Sequence, residues 1–387
     1  MDFDLAEEQR ILQSTVERFA SLRCTRERVR QAERDGTFPQ DLWDEMAGMG
    51  LLGLPAPEAL GGTGGSMLDM VVVIEALARR MPALAIPFIN TVGLTCKLMG
   101  ALGTDRQRRE TLPAMMEGRL KTCFAWTEPS GGSDVLAMRT RAEPTADGRG
   151  FVVNGAKTFI TLAHRADLMF TMVRSQKDPA RKTDGLSCLM IPTGSPGISI
   201  RLIDKVGQKS TGFCDVHFEE VFVPRDALVG EENNAWRQVV PLLNGERICF
   251  SAVCLGIAEA AFADAREYMG LRSAFGRTIE HYQVLQHHLV DMRAMIDSAR
   301  LLTWKAAWMD AHGRPAAFEA TEALLVAGQM VSKVTDLGMQ VMGGYGYTTE
   351  FDMERHWRDG RVFRLSPMTT EMARNFLAQG MGMPRPY

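Results

Sequence analysis

The hydrophobic period of this chain changes twice along its length, and that alternation limits the folds open to it. From residue 1 to about 120, apolar residues recur at spacings of three and four, as in Leu5, Ile11, Leu12, Thr15, Val16 and Phe19, which predicts helices. Breaks fall at Thr37-Phe38-Pro39, Pro55-Ala56-Pro57 and Gly61-Gly62-Thr63-Gly64-Gly65. The glycine run lacks the Lys-Ser/Thr that a phosphate loop requires, so it reads as a turn. From about 121 to 232 the texture becomes short β-like runs, such as Phe151-Val152-Val153 and Asp215-Val216-His217-Phe218, separated by Gly, Asn, Asp and Pro. After 232 the helical period returns in long Ala-, Leu- and Met-rich segments, interrupted by glycines at 343 to 346. Helix, sheet, helix is an α+β order, with units over 1–120, 121–232 and 233–387. A chain of 387 residues exceeds one ordinary core. With no repeat and no low-complexity linker, the units are expected to pack closely.

Charge and cysteine usage exclude several classes of function. The net charge is -3, with basic and acidic residues interspersed, so the basic stripe of a nucleic-acid binder is missing. Seven cysteines form no CxxC pair, which fits reduced thiols in the cytoplasm and supports neither a disulfide framework nor a metal site. The start, Met1-Asp2-Phe3-Asp4-Leu5-Ala6-Glu7-Glu8, is acidic and without an apolar core, unlike a secretory or transit segment. No run approaches 18 uninterrupted apolar residues, so no membrane span is expected. The expectation is small-molecule chemistry in the cytoplasm.

One carboxylate stands out. In Trp236–Phe250 and just beyond, helical spacing puts Leu242, Leu243, Cys249, Phe250 and Val253 on one apolar face, and Glu246 on the same face. Desolvating an ionised carboxylate costs several kcal/mol unless it is paired. Such a group either raises its pKa toward neutrality, the profile of a general base, or pairs with an arginine from another helix. Spacing alone leaves both readings open.

Ala125-Trp126-Thr127-Glu128-Pro129-Ser130-Gly131-Gly132-Ser133-Asp134 resembles the first signature of the acyl-CoA dehydrogenase family. Gln340-Val341-Met342-Gly343-Gly344-Tyr345-Gly346-Tyr347, followed by Glu350, Arg355 and Asp359, resembles its C-terminal signature. Lys157-Thr158-Phe159-Ile160-Thr161, Arg272-Ser273-Ala274-Phe275-Gly276 and Gln283 lie between them in the family's order, so the resemblance spans essentially the whole chain.

This resemblance implies an N-terminal helical domain, a central β-barrel-like domain and a C-terminal four-helix bundle, assembled as a homotetramer or homodimer around FAD. It implies that Trp126 and Thr127 adjoin the isoalloxazine and that Ser133 meets the FAD pyrophosphate or the substrate neck. Phe159 would stack on the flavin, and Thr161 would bond near its N5. Arg272, Gln283 and Gln340 would reach a partner subunit's FAD, with Phe275 beside them chiefly as interface packing. The Gly343-Gly344 backbone would approach the cofactor closely, and Thr369 and Glu371 would border it. Substrate contacts would come from Ser133, Asn244, Arg247 and Met368. The acyl pocket would be lined by the 81–100 segment, Trp126, Leu242 and Leu243.

The implied reaction is α,β-dehydrogenation of an acyl-CoA to the trans-2-enoyl-CoA, with proton removal by a carboxylate and hydride transfer to flavin N5. Electron-transfer flavoprotein is the implied acceptor. Family members carry the base either near the C-terminus, where this chain has Pro367, or on the first helix of the bundle, where it has Asn244-Gly245-Glu246-Arg247. Glu246 is thereby the expected base. Pro367 also lacks the amide that family members turn toward the thioester carbonyl, leaving the Met368 amide, a shifted loop or a flavin hydroxyl to act. A flavin monooxygenase or oxidase on the same fold, dehydrogenation of a carrier-protein-bound acyl group and a non-catalytic role remain open.

Overall fold

A computed structural model describes residues 4–177 and 181–384; Met1–Phe3, part of the acidic start, lie outside them. The N-terminal helices are α1 (Glu7–Arg23), α2 (Arg26–Asp35), α3 (Gln40–Gly48), α4 (Met67–Arg80), α5 (Pro82–Pro87), α6 (Thr95–Leu102) and α7 (Asp105–Met116). Their starts follow capping chemistry. The Thr25 hydroxyl accepts from the Arg28 amide, and Ser66/Asp69 and Thr104/Gln107 form reciprocal capping boxes. In α1 the buried stripe is Val16, Phe19 and Ala20, whereas Ile11 and Thr15 face solvent. Two of the residues that carry the helical spacing therefore lie outside the core, because α1 packs mainly against α4 and buries a single narrow face.

Eight strands follow: β1 (Thr122–Ala125), β2 (Arg141–Pro144), β3 (Gly150–Thr161), β4 (Leu168–Arg174), β5 (Leu186–Pro192), β6 (Ile198–Ile203), β7 (Phe213–Pro224) and β8 (Leu228–Val229). They form one sheet in the order β6-β7-β3-β2-β4-β5-β8, with β1 added in parallel to β4. The edge strands β6 and β8 do not pair with each other, so this barrel-like unit is an open sheet. The β3–β7 register shifts between Val153 and Gly155 and again between Lys157 and Ile160.

The C-terminal part contains α8 (Ala235–Val239), α9 (Leu243–Leu271), a small hairpin of β9 (Ser273–Ala274) and β10 (Arg277–Thr278), then α10 (Gln283–Ala311), α11 (Ala317–Met342), α12 (Met353–Arg361) and α13 (Thr370–Gly380). Helices α9, α10 and α11 pack on one another, and α4 packs on α9. N- and C-terminal helices therefore share a single core that includes Trp43, Phe88, Ile248, Val253, Ile296 and Val331. The sheet has its own core around Phe151, Val153 and Val216. A third cluster joins α6 and α7 to β4 and β5 through Cys96, Met99, Leu112 and Phe170.

The helical stretches Pro82–Leu102 and Ala235–Leu271 are long and apolar enough to cross a membrane, but 83% and 72% of their most apolar windows are buried inside the protein. They are core helices of this fold. All seven cysteines are buried and unbonded to one another.

Candidate active site

Glu246 lies in the first turn of α9, after a 3-10 turn at Val240–Leu242 that contains Pro241. Its side chain opens onto a cavity of about 170 Å³ whose walls include Met67, Met70, Ile89, Leu94, Lys97 and Cys249. Cys249 follows Glu246 by three positions, so both sit on one helical face. Ile89 and Leu94 come from Phe88–Leu94, a π-helical turn inserted between α5 and α6. Such turns carry a wider backbone ring than an α-helix and recur at functional sites.

Among the described residues, Glu246 makes no ion pair and no side-chain hydrogen bond. Burial pushes its carboxyl up from 4.5 to about 7, with the neighbouring Arg247 charge acting in opposition. Arg247 is itself engaged elsewhere: its Nη1 donates to Asn244 Oδ1 at 3.0 Å and Thr321 Oγ1 at 3.1 Å, and its guanidinium lies 5.2 Å from the Phe376 ring centre. Of the two readings that spacing left open, the pairing with an arginine of another helix does not form.

The cavity differs from expectation in part of its lining. The 81–100 segment contributes as expected, but Trp126, Leu242 and Leu243 do not line it. Leu242 lies in the 3-10 turn before α9, where the helical rotation extrapolated back from Glu246 no longer holds; it packs with Trp126 in the third cluster. Met67 and Met70 of α4, and Lys97 and Asp310, were not singled out by the sequence reading. Their positions depend on how α4, α6 and the end of α10 meet α9.

The stretch after β1 is held by a buried ion pair that the sequence reading quoted without assigning it a role. Glu128 accepts from Arg139 N at 2.7 Å, Thr140 N at 2.9 Å and Lys157 Nζ at 2.9 Å. Lys157 Nζ also donates to the Trp126 carbonyl at 3.1 Å, and Thr158 N to the Thr127 carbonyl at 2.9 Å. These bonds close the Glu128–Arg139 loop that carries Ser133 and tie Trp126 and Thr127 to β3. The register shift after Lys157 then turns Phe159 outward: φ is 58° and the ring is 57% exposed. Bulges of this kind re-aim side chains beside active sites, and a bulky residue at positive φ is strained.

Two of these features are what a planar, hydrogen-bonding cofactor would use. The Trp126 indole N–H is buried without a partner among the described residues, and an apolar ring is displayed at Phe159. Thr127 and Thr161 are half-buried nearby in sequence, and Ser133 is exposed. The residues present therefore fit FAD.

A separate group gathers at the ends of the long helices. The Arg272 guanidinium lies 5.5 Å from the Tyr345 ring centre, which brings it to the Gly343–Tyr347 turn. Gly343 has φ 58°, and a side chain added at Gly343 or Gly344 would meet nothing within 4 Å. Phe275, at the hairpin tip with φ 52°, is 96% exposed. Gln283 and Gln340, at the start of α10 and near the end of α11, are also exposed. None of these residues lines the Glu246 cavity.

Thr369 caps α13, accepting from the Met372 amide at 3.1 Å. Glu371 lies exposed in that helix's first turn; its own backbone amide and the Thr370 hydroxyl hold its carboxyl below the usual range, leaving it ionised and weakly basic. Met368 packs on the main core, and its amide has no partner among the described residues.

Comparison with known proteins agrees with this architecture. The acyl-CoA dehydrogenase N-terminal, middle and C-terminal domain families match residues 6–119, 123–221 and 233–382. The short-chain specific acyl-CoA dehydrogenase of Clostridium acetobutylicum is 32% identical over 375 residues, covering 96% of this chain and 97% of that protein. A subunit of the caffeyl-CoA reductase-Etf complex of Acetobacterium woodii is 30% identical, covering 95% and 96%. The butyryl-CoA dehydrogenase of Megasphaera elsdenii has the same fold, with a TM-score of 0.93 at 31% identity over 98% of this chain and 100% of that one. These family matches and relatives over the whole chain define an FAD-dependent acyl-thioester oxidoreductase. The chain belongs to the acyl-CoA dehydrogenase family.

Proposed function

We propose that this FAD-dependent acyl-CoA dehydrogenase uses Glu246 as the base that removes the α-proton of a bound acyl thioester, giving the trans-2-enoyl-CoA. The observation that carries the assignment is an unpartnered carboxyl, raised to about 7, opening onto a largely apolar cavity. At neutral pH a substantial fraction is ionised and able to accept a proton. Once protonated, the neutral acid suits the apolar wall, so the proton stays on the Glu246 carboxyl while the product forms.

FAD, when bound, supplies the hydride acceptor. Thr127, Trp126, Phe159 and Thr161 would hold its ring, Ser133 its pyrophosphate or the substrate neck, and Thr369 and Glu371 would border it. The Met368 amide takes the place of the donor absent at Pro367 and polarises the thioester carbonyl as negative charge develops there. Asn244 and Arg247 brace the start of α9 and adjoin the substrate.

Arg272, Gln283, Gln340, Phe275 and the Gly343-Gly344 turn serve the FAD of a partner subunit in a homotetramer or homodimer. Their exposure in the single chain supports this, as do exposed Val284, Val290, Leu301 and Trp308 along α10. Electron-transfer flavoprotein is the acceptor, a reading favoured by the Etf-associated relative. We place the enzyme in the cytoplasm, where its seven unpaired thiols remain reduced.

The test is anaerobic addition of short, branched, cyclic and long acyl-CoAs to the FAD-loaded protein while flavin absorbance is followed. Bleaching by at least one thioester, lost in Glu246→Gln with FAD retained, is expected. Full bleaching in that variant would remove Glu246 from the mechanism and leave the family assignment standing.

A further inference from the structure

The cavity beside Glu246 holds a second charged feature that proton removal does not require. Lys97 of α6 and Asp310, in the last turn of α10, both line it, with Nζ and Oδ1 2.7 Å apart. Their side chains keep 31% and 23% exposure. The pair sits close to the base. A side-chain carbon added at Gly245 would come within 2.9 Å of Lys97 Nζ, which places the ammonium over the first turn of α9. Cys249 experiences all three charges: burial raises its thiol to about 12, Lys97 opposes the rise, and Asp310 and Glu246 add to it.

The hydrogen-bonding capacity of the pair is only partly used. A lysine ammonium has three donors, and among the described residues one goes to Asp310 and the others find no protein acceptor. The Asp310 carboxylate likewise accepts only from Lys97 among the described residues. An alkyl chain filling the cavity would displace water from these groups and leave them unmatched, a costly arrangement. A chain ending in a carboxylate fares no better, because Asp310 already neutralises Lys97 and ionised Glu246 adds negative charge. A neutral group that both accepts and donates matches the pair: it accepts from Lys97 and donates to Asp310. The cavity, about 170 Å³, is close in size to an apolar cavity of about 150 Å³ that holds one benzene, which suits an acyl chain of few carbons.

We infer that the natural acyl substrate is short and ends in a neutral hydroxyl or carboxamide, received jointly by Lys97 and Asp310. This rests on the dehydrogenase reading, with Glu246 acting at the reacting carbon and the Lys97–Asp310 pair, which lines the same cavity, receiving the terminal group.

The experiment compares the efficiency of flavin reduction, as kcat/KM, for three thioesters on the FAD-loaded enzyme. These are ω-hydroxypentanoyl-CoA, hexanoyl-CoA with a methyl in place of the hydroxyl, and glutaryl-CoA with a terminal carboxylate. The hydroxyacyl thioester is expected to lead both others by at least about tenfold, since a site built for a hydroxyl rejects analogues lacking it. The double variant Lys97→Met/Asp310→Leu is expected to reverse the order in favour of hexanoyl-CoA. Asp310→Asn leaves the ammonium uncompensated and is expected to raise glutaryl-CoA at least about tenfold over its wild-type value. Hexanoyl-CoA matching the hydroxyacyl thioester in the wild type overturns the inference, as does an unchanged order in the double variant. If that variant does not retain FAD, Asp310→Asn decides, and no gain with glutaryl-CoA overturns it. Reduction by hexanoyl-CoA alone leaves the dehydrogenase reading intact while removing this one; reduction by none of the three overturns this inference, and the dehydrogenase reading falls only if the wider acyl-CoA panel also fails to bleach the flavin.

Discussion

Lys157 Nζ stands 2.9 Å from Glu128 Oε1 with both side chains inside the protein, and the same ammonium reaches the Trp126 carbonyl at 3.1 Å. Burial pulls the lysine down to about 8, and Glu128 opposes that fall. The pair thus joins β3 to the loop assigned to FAD. Removing one member of such a pair leaves an uncompensated buried charge, at a cost of about 3 to 5 kcal/mol. Lys157→Met is expected to lower stability by that order and to reduce bound FAD, read from urea unfolding and the flavin-to-protein absorbance ratio. Adding Glu128→Leu is expected to restore part of the stability, because no charge remains stranded. Wild-type stability in Lys157→Met would show that the pair carries no net structural role.

Replacing Glu246 by Gln keeps the side chain's shape and removes its basicity. Positioned general bases contribute about 10²- to 10⁴-fold, so flavin reduction by the best acyl-CoA is expected to slow by at least that factor while FAD content is unchanged. Stopped-flow absorbance under anaerobic conditions measures both.

The raised pKa of Glu246 also sets a pH dependence. In the free enzyme kcat/KM is expected to rise about tenfold per unit below pH 7 and to level off above it. A flat profile between about pH 6 and 8 would be incompatible with titration of this base. Stability runs the other way. Between the ordinary value of 4.5 and about 7, the folded state holds a proton that the unfolded state has lost. This group's contribution is therefore intact below 4.5 and disappears as pH rises through 7. Glu246→Gln is expected to melt higher than wild type at pH above 7 and to lose that advantage near 4.5, as thermal scans of the FAD-loaded proteins would show.

Pro367 offers no amide, whereas the Met368 amide has no partner among the described residues. If Met368 is the donor, Met368→Pro is expected to slow flavin reduction by about 10²- to 10³-fold, the usual effect of losing one such donor. Pro367→Gly is then expected to change the rate by less than about threefold, well below that single-donor effect. A large gain in Pro367→Gly would instead reveal a donor deficit in the wild type.

Much of this protein is legible in its sequence, because periodicity, capping and signature runs are local properties. The alternation of helix and strand periods appears in the element order from α1 through β8 to α13. Glu246 was conspicuous as a charge on an apolar stripe, yet spacing could not distinguish a poised base from a buried ion pair. That distinction depends on whether a cation from another element arrives. Arg247 instead turns to Asn244 and Thr321, leaving the carboxyl alone at the cavity. Leu242 does not line the Glu246 cavity, because the 3-10 turn at 240–242 resets the rotation of the chain before α9.

The amino-acid sequence by itself determined the three-part α+β organisation and the family, since each is written in spacing or contiguous runs. Only the tertiary structure decided that Glu128 and Lys157 meet across the FAD-side loop and that Lys97 and Asp310 meet beside Glu246. The reason is geometric. Lys97 and Asp310 are brought to 2.7 Å by the packing of separate helices, and no local period records which charged side chains that packing will bring together.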